Sequence, residues 1–256
     1  MSGVTLGIEL VVGAEAGKVG AFQPLSSIGQ RLARLLTRGV IVIPAFLLAS
    51  CGMFADVWEW NQKLTVEVLV DGKVVSGSAV SHVWWQEANA LGVSPSGYKG
   101  EATVVDLGTR GQLFALIGEE TKYIAQYTLH DDLGYGRGDY ERLLPAIMHF
   151  RGTKNVPRDR YPLFVTFTNL SDPTTLRKVD PEDLAAVFGS GVSLKLITLG
   201  VTDEKPTEGA IEKRLPWLET VGRSRATLLP NPPKFLKDQS DIQRVNSGNF
   251  STELFK

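Results

Sequence analysis

The feature that most constrains this chain is a short apolar segment that ends beside its only cysteine. The segment occupies residues 39–48, and Ala49, Ser50 and Cys51 follow it directly. A helix needs about 20 apolar residues to cross the hydrocarbon core of a bilayer, so this segment is too short to span one. It is therefore either a buried element of a globular fold or a segment that directs the chain to another compartment.

The charged residues near this segment are basic and lie before it. Arg31, Arg34 and Arg38 precede it, and no acidic residue occurs in the range 16–55. A basic region, a short apolar core and small residues before a cleavage point are the layout of an export signal. Positive charge also favours keeping that end of a segment on the cytoplasmic side. The pattern predicts a signal segment over residues 1–50.

The end of the segment, Leu48-Ala49-Ser50-Cys51, resembles the lipobox of bacterial lipoprotein precursors. The resemblance implies that a diacylglyceryl group is attached to the Cys51 thiol and that a peptidase cleaves between Ser50 and Cys51. Two or more acyl chains give stable anchoring where one does not. Gly52, in place of Asp, implies the outer membrane rather than the inner one. The expected partner is the membrane, reached through the lipid on Cys51, on the periplasmic side of the bacterial cell envelope.

Two features leave alternatives open. Signals begin at the amino terminus, whereas about thirty residues precede the basic region, so residues 1–30 are interpreted as an extension upstream of the true start, at Val19 or Leu25. The competing interpretation is that residues 39–50 form a buried strand or helix and Cys51 is a core thiol, as free cysteines often are. The chain would then be a cytoplasmic globular protein with no signal.

Downstream of Cys51 the pattern is mostly β. Residues 64–75 alternate around Asp71-Gly72, the residue pair of a type I′ hairpin turn, and the second strand is expected to reach Trp85. Residues 101–118 predict a second hairpin. The remaining predictions are a strand at 123–129, a short helix or irregular segment at 139–150, a strand at 162–169, a helix begun by Asp180 and Pro181 and ended by Gly189, a strand at 192–202 and a short helix at 207–218.

These elements predict an α+β fold of mainly antiparallel β hairpins with two or three short helices, after the signal segment. Residues 51–225 are assigned to the globular domain. Residues 226–256 are polar and rich in Pro and Asn, which is typical of an extended or partly ordered tail. The stretch 161–218 is similar to uncharacterised predicted lipoproteins of alpha-proteobacteria, a resemblance that implies no activity and transfers no functional residue.

Composition and motifs argue against several classes of function. The net charge of -1 argues against nucleic-acid binding. His82, His130 and His149 have no zinc-ligand spacing, and the glycine-rich loop 134–139 matches no phosphate-binding spacing. No GxSxG nucleophile motif occurs. The sequence therefore predicts no cofactor, no metal site and no catalytic residue.

The candidate binding residues in the domain are the adjacent Trp84 and Trp85. Neighbouring residues of a strand point to opposite faces, so one ring is expected in the core. The other is either exposed, where it would suit a protein or glycan contact, or packed as well. A binding or envelope-structural role follows. The alternative is a hydrolase-like enzyme whose site joins residues distant in sequence, such as His130 and Asp131 with a third acid or histidine.

Overall fold

A computed structural model describes residues 56–89, 91–222 and 226–255. Within these ranges the chain forms nine strands in two antiparallel sheets, with four short α-helices. The strands are β1 (Val57–Val70), β2 (Lys73–Gln86), β3 (Ser96–Lys99), β4 (Thr103–Asp106), β5 (Gln112–Ala115), β6 (Thr153–Asn155), β7 (Phe164–Phe167), β8 (Leu176–Lys178) and β9 (Val192–Thr202). The α-helices are α1 (Ile124–Leu133), α2 (Tyr140–His149), α3 (Ala185–Phe188) and α4 (Leu218–Val221). Short 3-10 helices lie at Gly108–Arg110, Glu119–Lys122, Arg158–Arg160, Pro173–Thr175, Leu236–Asp238, Asp241–Arg244, Ser247–Asn249 and Glu253–Phe255.

The larger sheet is built on the β1–β2 hairpin, whose strands pair over all 14 residues of each. Asp71 and Gly72 turn the chain with φ values of 48° and 79°, so the predicted two-residue turn with positive φ is confirmed. The strand order of this sheet is β3-β2-β1-β9-β6. The second strand of the hairpin ends at Gln86, one residue beyond the predicted end.

The smaller sheet has the order β4-β5-β7-β8. Its first two strands are the hairpin predicted over residues 101–118. The fold class predicted from the sequence, α+β with mainly antiparallel strands, is confirmed. Of the two alternatives left open for residues 139–150, a short helix or an irregular segment, the structure has the helix, as α2 with Pro145 inside it.

The smaller sheet carries a core on each face. Leu113 and Ala115 of β5 belong to the cluster shared with the larger sheet, α1 and α2, whereas Phe114 between them belongs to the second cluster. Successive residues of a strand point to opposite faces, and both faces of β5 are buried. The space between the two sheets therefore belongs to the first core, and the pocket described below lies there.

The strand predicted at 123–129 is wrong, because this segment forms helix α1. Its buried residues include Ile124, Ala125, Gln126 and Leu129, so the polar and apolar positions show neither a clear two-residue nor a clear helical period. Packing against the neighbouring elements decides the conformation. Gly134, with φ of 74°, ends the helix in the left-handed region.

The helix predicted at 207–218 is also wrong, since this segment is mostly turns and the helix α4 begins only at Leu218. The helix predicted to begin at Asp180 starts later, at Ala185. Carboxylate oxygens of two aspartates accept the N–H groups of the residues before and at its start. Asp180 Oδ1 accepts the N–H of Glu182 at 2.9 Å, and Asp183 Oδ1 accepts that of Ala186 at 3.1 Å. The regular helix α3 is consequently only four residues long.

The polar segment 226–255, whose composition is typical of an extended or partly ordered tail, is packed into the second core. Val245 and Phe250 are buried in the second core cluster, and Ser247 and Ser251 are buried beside them. The N–H of Ala102 donates to the carbonyl of Phe250 at 2.8 Å, which joins this segment to the chain entering β4. Val245 and Phe250 are enough to fix the segment, because both enter the cluster that contains Phe114, Phe167 and Trp217.

Candidate functional site

A pocket of about 230 Å³ lies between the two sheets. Most of its residues come from β1, β2, β4, β5 and β9 and from the segments 116–121 and 160–163, and Glu101, Ile124 and Asn249 complete the lining. Apolar side chains supply much of the wall, among them Leu64, Leu116 and Leu199. Ligand sites are typically apolar concave spaces of about 300–1,000 Å³, so this one suits a small ligand.

Small side chains create the space. In the larger sheet, the inward-facing Ala79 and Ser81 of β2 line the pocket. In the smaller sheet, Thr103 and Ala115 are directly paired across β4 and β5 and line it too. Four small residues where two sheets meet leave a volume that leucine or phenylalanine side chains would fill. The cavity is thus a consequence of residue size at facing positions.

The rim of the pocket is held by side-chain hydrogen bonds. Gln62 Nε2 donates to the carbonyl of Thr121 at 2.8 Å, and Thr121 Oγ1 accepts the N–H of Gly118 at 3.0 Å. On the other side, Asn249 Nδ2 donates to the carbonyl of Ile117 at 3.0 Å. The rim segment is therefore tied to β1 and to the carboxy-terminal segment, which favours a pocket that is formed before any ligand arrives.

Two hydroxyl groups lie in the pocket lining. Ser81 and Thr103 are both buried residues of the wall. Glu119, Glu120 and Arg160, which also line the pocket, supply charge. The arrangement offers hydroxyl donors and acceptors among apolar walls, which is the pattern of a site that orients a small, largely apolar molecule.

Glu101 lies in the pocket wall and is 1% exposed. Its Oε2 accepts the N–H groups of Ala210 and Ile211, both at 3.1 Å. Burial raises the pKa of the Glu101 carboxyl from 4.5 to about 7, and the negative charge of Glu212 adds to the increase, although the two N–H groups oppose it. The Glu101 carboxyl is therefore an acid that exchanges its proton near neutral pH.

A second depression of about 480 Å³ adjoins the pocket and shares Gly118, Glu119 and Asn249 with it. Tyr98 lines this depression, and burial together with the charge of Glu119 raises its pKa to about 12. The Tyr98 hydroxyl therefore stays protonated at neutral pH. The two spaces lie on either side of the same rim segment.

The two predicted binding tryptophans lie on opposite faces of β2. Trp85 is 4% exposed in the first core, where its ring stacks on Tyr140 at 5.6 Å and meets the edge of Tyr123 at 5.2 Å. Trp84 is partly exposed on the outer face, and its indole lies against the backbone of Gly97 in β3. Neither residue lines the pocket.

The histidines do not form a site in the described ranges. His82 Nδ1 lies 3.0 Å from Asn61 Oδ1, and His130 Nδ1 lies 3.0 Å from Asp131 Oδ1. His149 is exposed at the end of α2. Across residues 56–89, 91–222 and 226–255, no three His, Cys, Asp or Glu side chains form a group that could hold a metal ion.

The predicted lipidation and cleavage residues, Cys51 and Ser50, lie outside the described residues. No helix in the part of the chain that the structure describes has the length and apolar character needed to cross a bilayer.

The chain matches no protein-family model, no curated protein and no solved structure. Any functional assignment therefore has to come from its own residues. Sequence reasoning missed the pocket and Glu101. The one local signal for Glu101 is a carboxylate two residues before the predicted strand that forms β4, where an acid is buried only if it is paired.

Proposed function

We propose that this chain is a lipid-anchored bacterial envelope protein whose domain binds a small, largely apolar ligand carrying a hydrogen-bonding group. The observation that carries the binding role is the pocket between the sheets, with the Ser81 and Thr103 hydroxyls inside it. Its ligand would place apolar atoms against the leucine and alanine side chains and a hydroxyl or carbonyl group near the two hydroxyls.

Binding is favoured over catalysis by the way in which Glu101 is used. A carboxyl group with a pKa near 7 in a pocket is a frequent property of general acids and bases. Here, however, the oxygens accept the N–H groups of Ala210 and Ile211 and the carboxyl lies next to Glu212. The carboxyl therefore holds the backbone at Ala210 and Ile211 in place, and its accepting oxygens are already occupied by these N–H groups.

A cavity-filling variant tests the binding role. Small neutral probes, namely benzene, indole and n-hexanol, would be titrated into the domain while ligand-induced NMR shift changes are followed. Ala79→Leu fills the pocket, and the matched control Ala186→Leu places the same side chain on the exposed face of α3. We expect binding in the wild type and the control and its loss in Ala79→Leu. Shift changes that are the same in Ala79→Leu would place the binding elsewhere, and no binding of any probe would contradict the proposed role.

The anchor is supported by the sequence Leu48-Ala49-Ser50-Cys51 and by the basic and apolar residues before it. The thiol is the only one in the chain, so a lipid attached through sulfur has a single possible position. Attachment there would leave the domain beginning a few residues later on the periplasmic side of the membrane.

Metabolic labelling tests the anchor. Cells expressing the full chain would be fed an alkyne-bearing fatty acid, and the protein would be detected after coupling to a fluorophore. We expect labelling of the wild type, a mature mass that begins at Cys51, and no labelling of Cys51→Ala. Labelling that is equal in the two proteins, or absent from both, contradicts the lipoprotein assignment and leaves the pocket proposal standing.

A further inference from the structure

Three exposed aliphatic side chains lie at one end of the long hairpin. Val57 at the start of β1 is 50% exposed, and Leu91 and Val93, in the connection after β2, are 87% and 55% exposed. Val57 pairs with Gln86, the last residue of β2, so the start of the domain and this connection are at the same end of the sheet. We call Val57, Leu91 and Val93 the apolar tip.

Hydrogen bonds to backbone N–H groups hold the residues of the apolar tip in place. Asn89 Oδ1 accepts the N–H groups of Leu91 at 2.9 Å and Val93 at 3.1 Å. The N–H of Glu87 donates to the carbonyl of Asp56 at 2.9 Å, which joins the connection to the residue that precedes β1. These hydrogen bonds therefore hold aliphatic side chains in solvent, where exposing their apolar surface is unfavourable.

The length of chain between the apolar tip and Cys51 indicates what covers it. Six Cα–Cα steps separate Cys51 from Val57, and at about 3.6 Å per step the two Cα atoms are at most about 22 Å apart. With acyl chains on Cys51, the start of β1 is tethered within that distance of the bilayer. We propose that the apolar tip docks on the membrane that holds the Cys51 lipid, a proposal that rests on the lipidation proposed above.

The charges near the apolar tip define the kind of membrane contact. Asp56, Glu59 and Glu87 are exposed beside it, and acidic groups are repelled by anionic lipid. The contact therefore depends on aliphatic burial among zwitterionic lipids. The cross-strand pair Trp58 and Trp85 follows directly after Val57, and the partly exposed Trp58 would lie at the interfacial depth that tryptophan favours.

The same hairpin provides a matched control. Val74 is 48% exposed, close to the value for Val57, but it lies next to the Asp71-Gly72 turn at the other end of β2. Twelve residues separate it from Gln86, or about 40 Å at roughly 3.3 Å per residue. A contact confined to the apolar tip leaves Val74 in water.

The test uses the full chain, processed in cells, purified with its lipid and reconstituted in phosphatidylcholine vesicles with brominated acyl chains. Bromine quenches tryptophan fluorescence only at short range, and Trp58 and Trp85 lie beside the apolar tip. We expect quenching in the wild type, a decrease of about twofold or more in the double variant Leu91→Asp and Val93→Asp, and no change in Val74→Asp. Adding phosphatidylglycerol should not increase the quenching.

The outcomes separate this inference from the anchor. Mass spectrometry of each sample reports whether Cys51 carries lipid. A lipidated wild type without quenching overturns the docking and leaves the anchor intact, and a protein without lipid overturns both. Quenching that is lost in Phe235→Asp, at another exposed aromatic residue, or a dimer that Leu91→Asp dissociates, would assign the contact to a different surface or to a second copy and would also overturn it.

Discussion

Gly77 of β2 lies directly against the backbone carbonyl of Val104 in β4, so closely that a Cβ atom on Gly77 would overlap the oxygen. Gly77 pairs with the fully buried Val66 and faces the space between the sheets. The contact sets how closely the two sheets approach at this point, because neither backbone can move aside without disturbing its own sheet.

The first prediction is that Gly77→Ala destabilises the domain by about 1–3 kcal/mol, since the added methyl group meets backbone instead of a movable side chain. The control is Gly136→Ala, because no atom lies within 4 Å of a Cβ placed there. The control should change stability by less than about 1 kcal/mol. Urea unfolding, monitored by circular dichroism, measures the stability of both variants. Equal unfolding midpoints would show that the two sheets can move apart at Gly77 without loss of stability.

The second prediction concerns pH. The pKa of Glu101 rises from 4.5 in the unfolded chain to about 7 in the fold, so the folded state binds the proton more tightly. The stabilisation from this proton is complete below about pH 4.5 and is lost as the pH rises through about 7. At about 1.36 kcal/mol per pH unit, the loss is at most about 3 kcal/mol.

Glu101→Gln should remove this pH dependence, because an amide stays neutral and its oxygen still accepts the N–H groups of Ala210 and Ile211. The measurement is the free energy of unfolding of both proteins at several pH values across that range. The wild type should lose stability relative to the variant as the pH rises. Parallel curves for the two proteins would mean that the pKa of Glu101 does not change on folding.

The third prediction concerns the carboxy-terminal segment. Phe250 is fully buried and contacts Phe114, Phe167 and Trp217 at centroid distances of 5.7–5.9 Å. Phe250→Ala should cost about 3–5 kcal/mol, since it removes a large buried side chain and leaves a cavity. Phe235→Ala in the same segment is the control, because Phe235 is 61% exposed. Similar thermal midpoints for the two variants would show that the segment contributes little to the fold.

The fourth prediction concerns Arg110, which joins three separate turns. Its Nη2 lies 2.9 Å from both Asp71 carboxylate oxygens, and its Nη1 donates to the carbonyls of Ser190 at 2.7 Å and Phe188 at 3.2 Å. Arg110→Ala should lower the free energy of unfolding by about 1–2 kcal/mol, because the two carbonyls lose a charged donor.

Arg158→Ala is the control for this change. Arg158 pairs with Glu182 at 2.8 Å, but both side chains are largely exposed, so its loss should cost less than about 0.5 kcal/mol. Arg110→Lys should fall between the two, since an ammonium group keeps the charge but cannot bond Asp71 and the carbonyls of Phe188 and Ser190 at once. Equal chemical denaturation curves for Arg110→Ala and Arg158→Ala would contradict the bridging role.

The elements predicted correctly from the sequence are those whose conformation is set by residues close together in the chain. Asp71-Gly72 adopts positive φ, the alternation in β1 and β2 follows the two faces of a sheet, and the strand β9 lies where it was expected. The errors lie where local signals were weak. The segment 123–133 is buried nearly all round, and the carboxy-terminal segment has few apolar residues to indicate that it packs.

The sequence by itself determined the hairpins and the antiparallel α+β class, because turn residues and alternation act between near neighbours. Only the tertiary structure decided where the pocket lies and what Glu101 does. Ala79 and Ala115 leave a cavity only because separate strands bring them to the same space. The pKa of Glu101 likewise depends on burial and on Glu212, more than a hundred residues away in the chain.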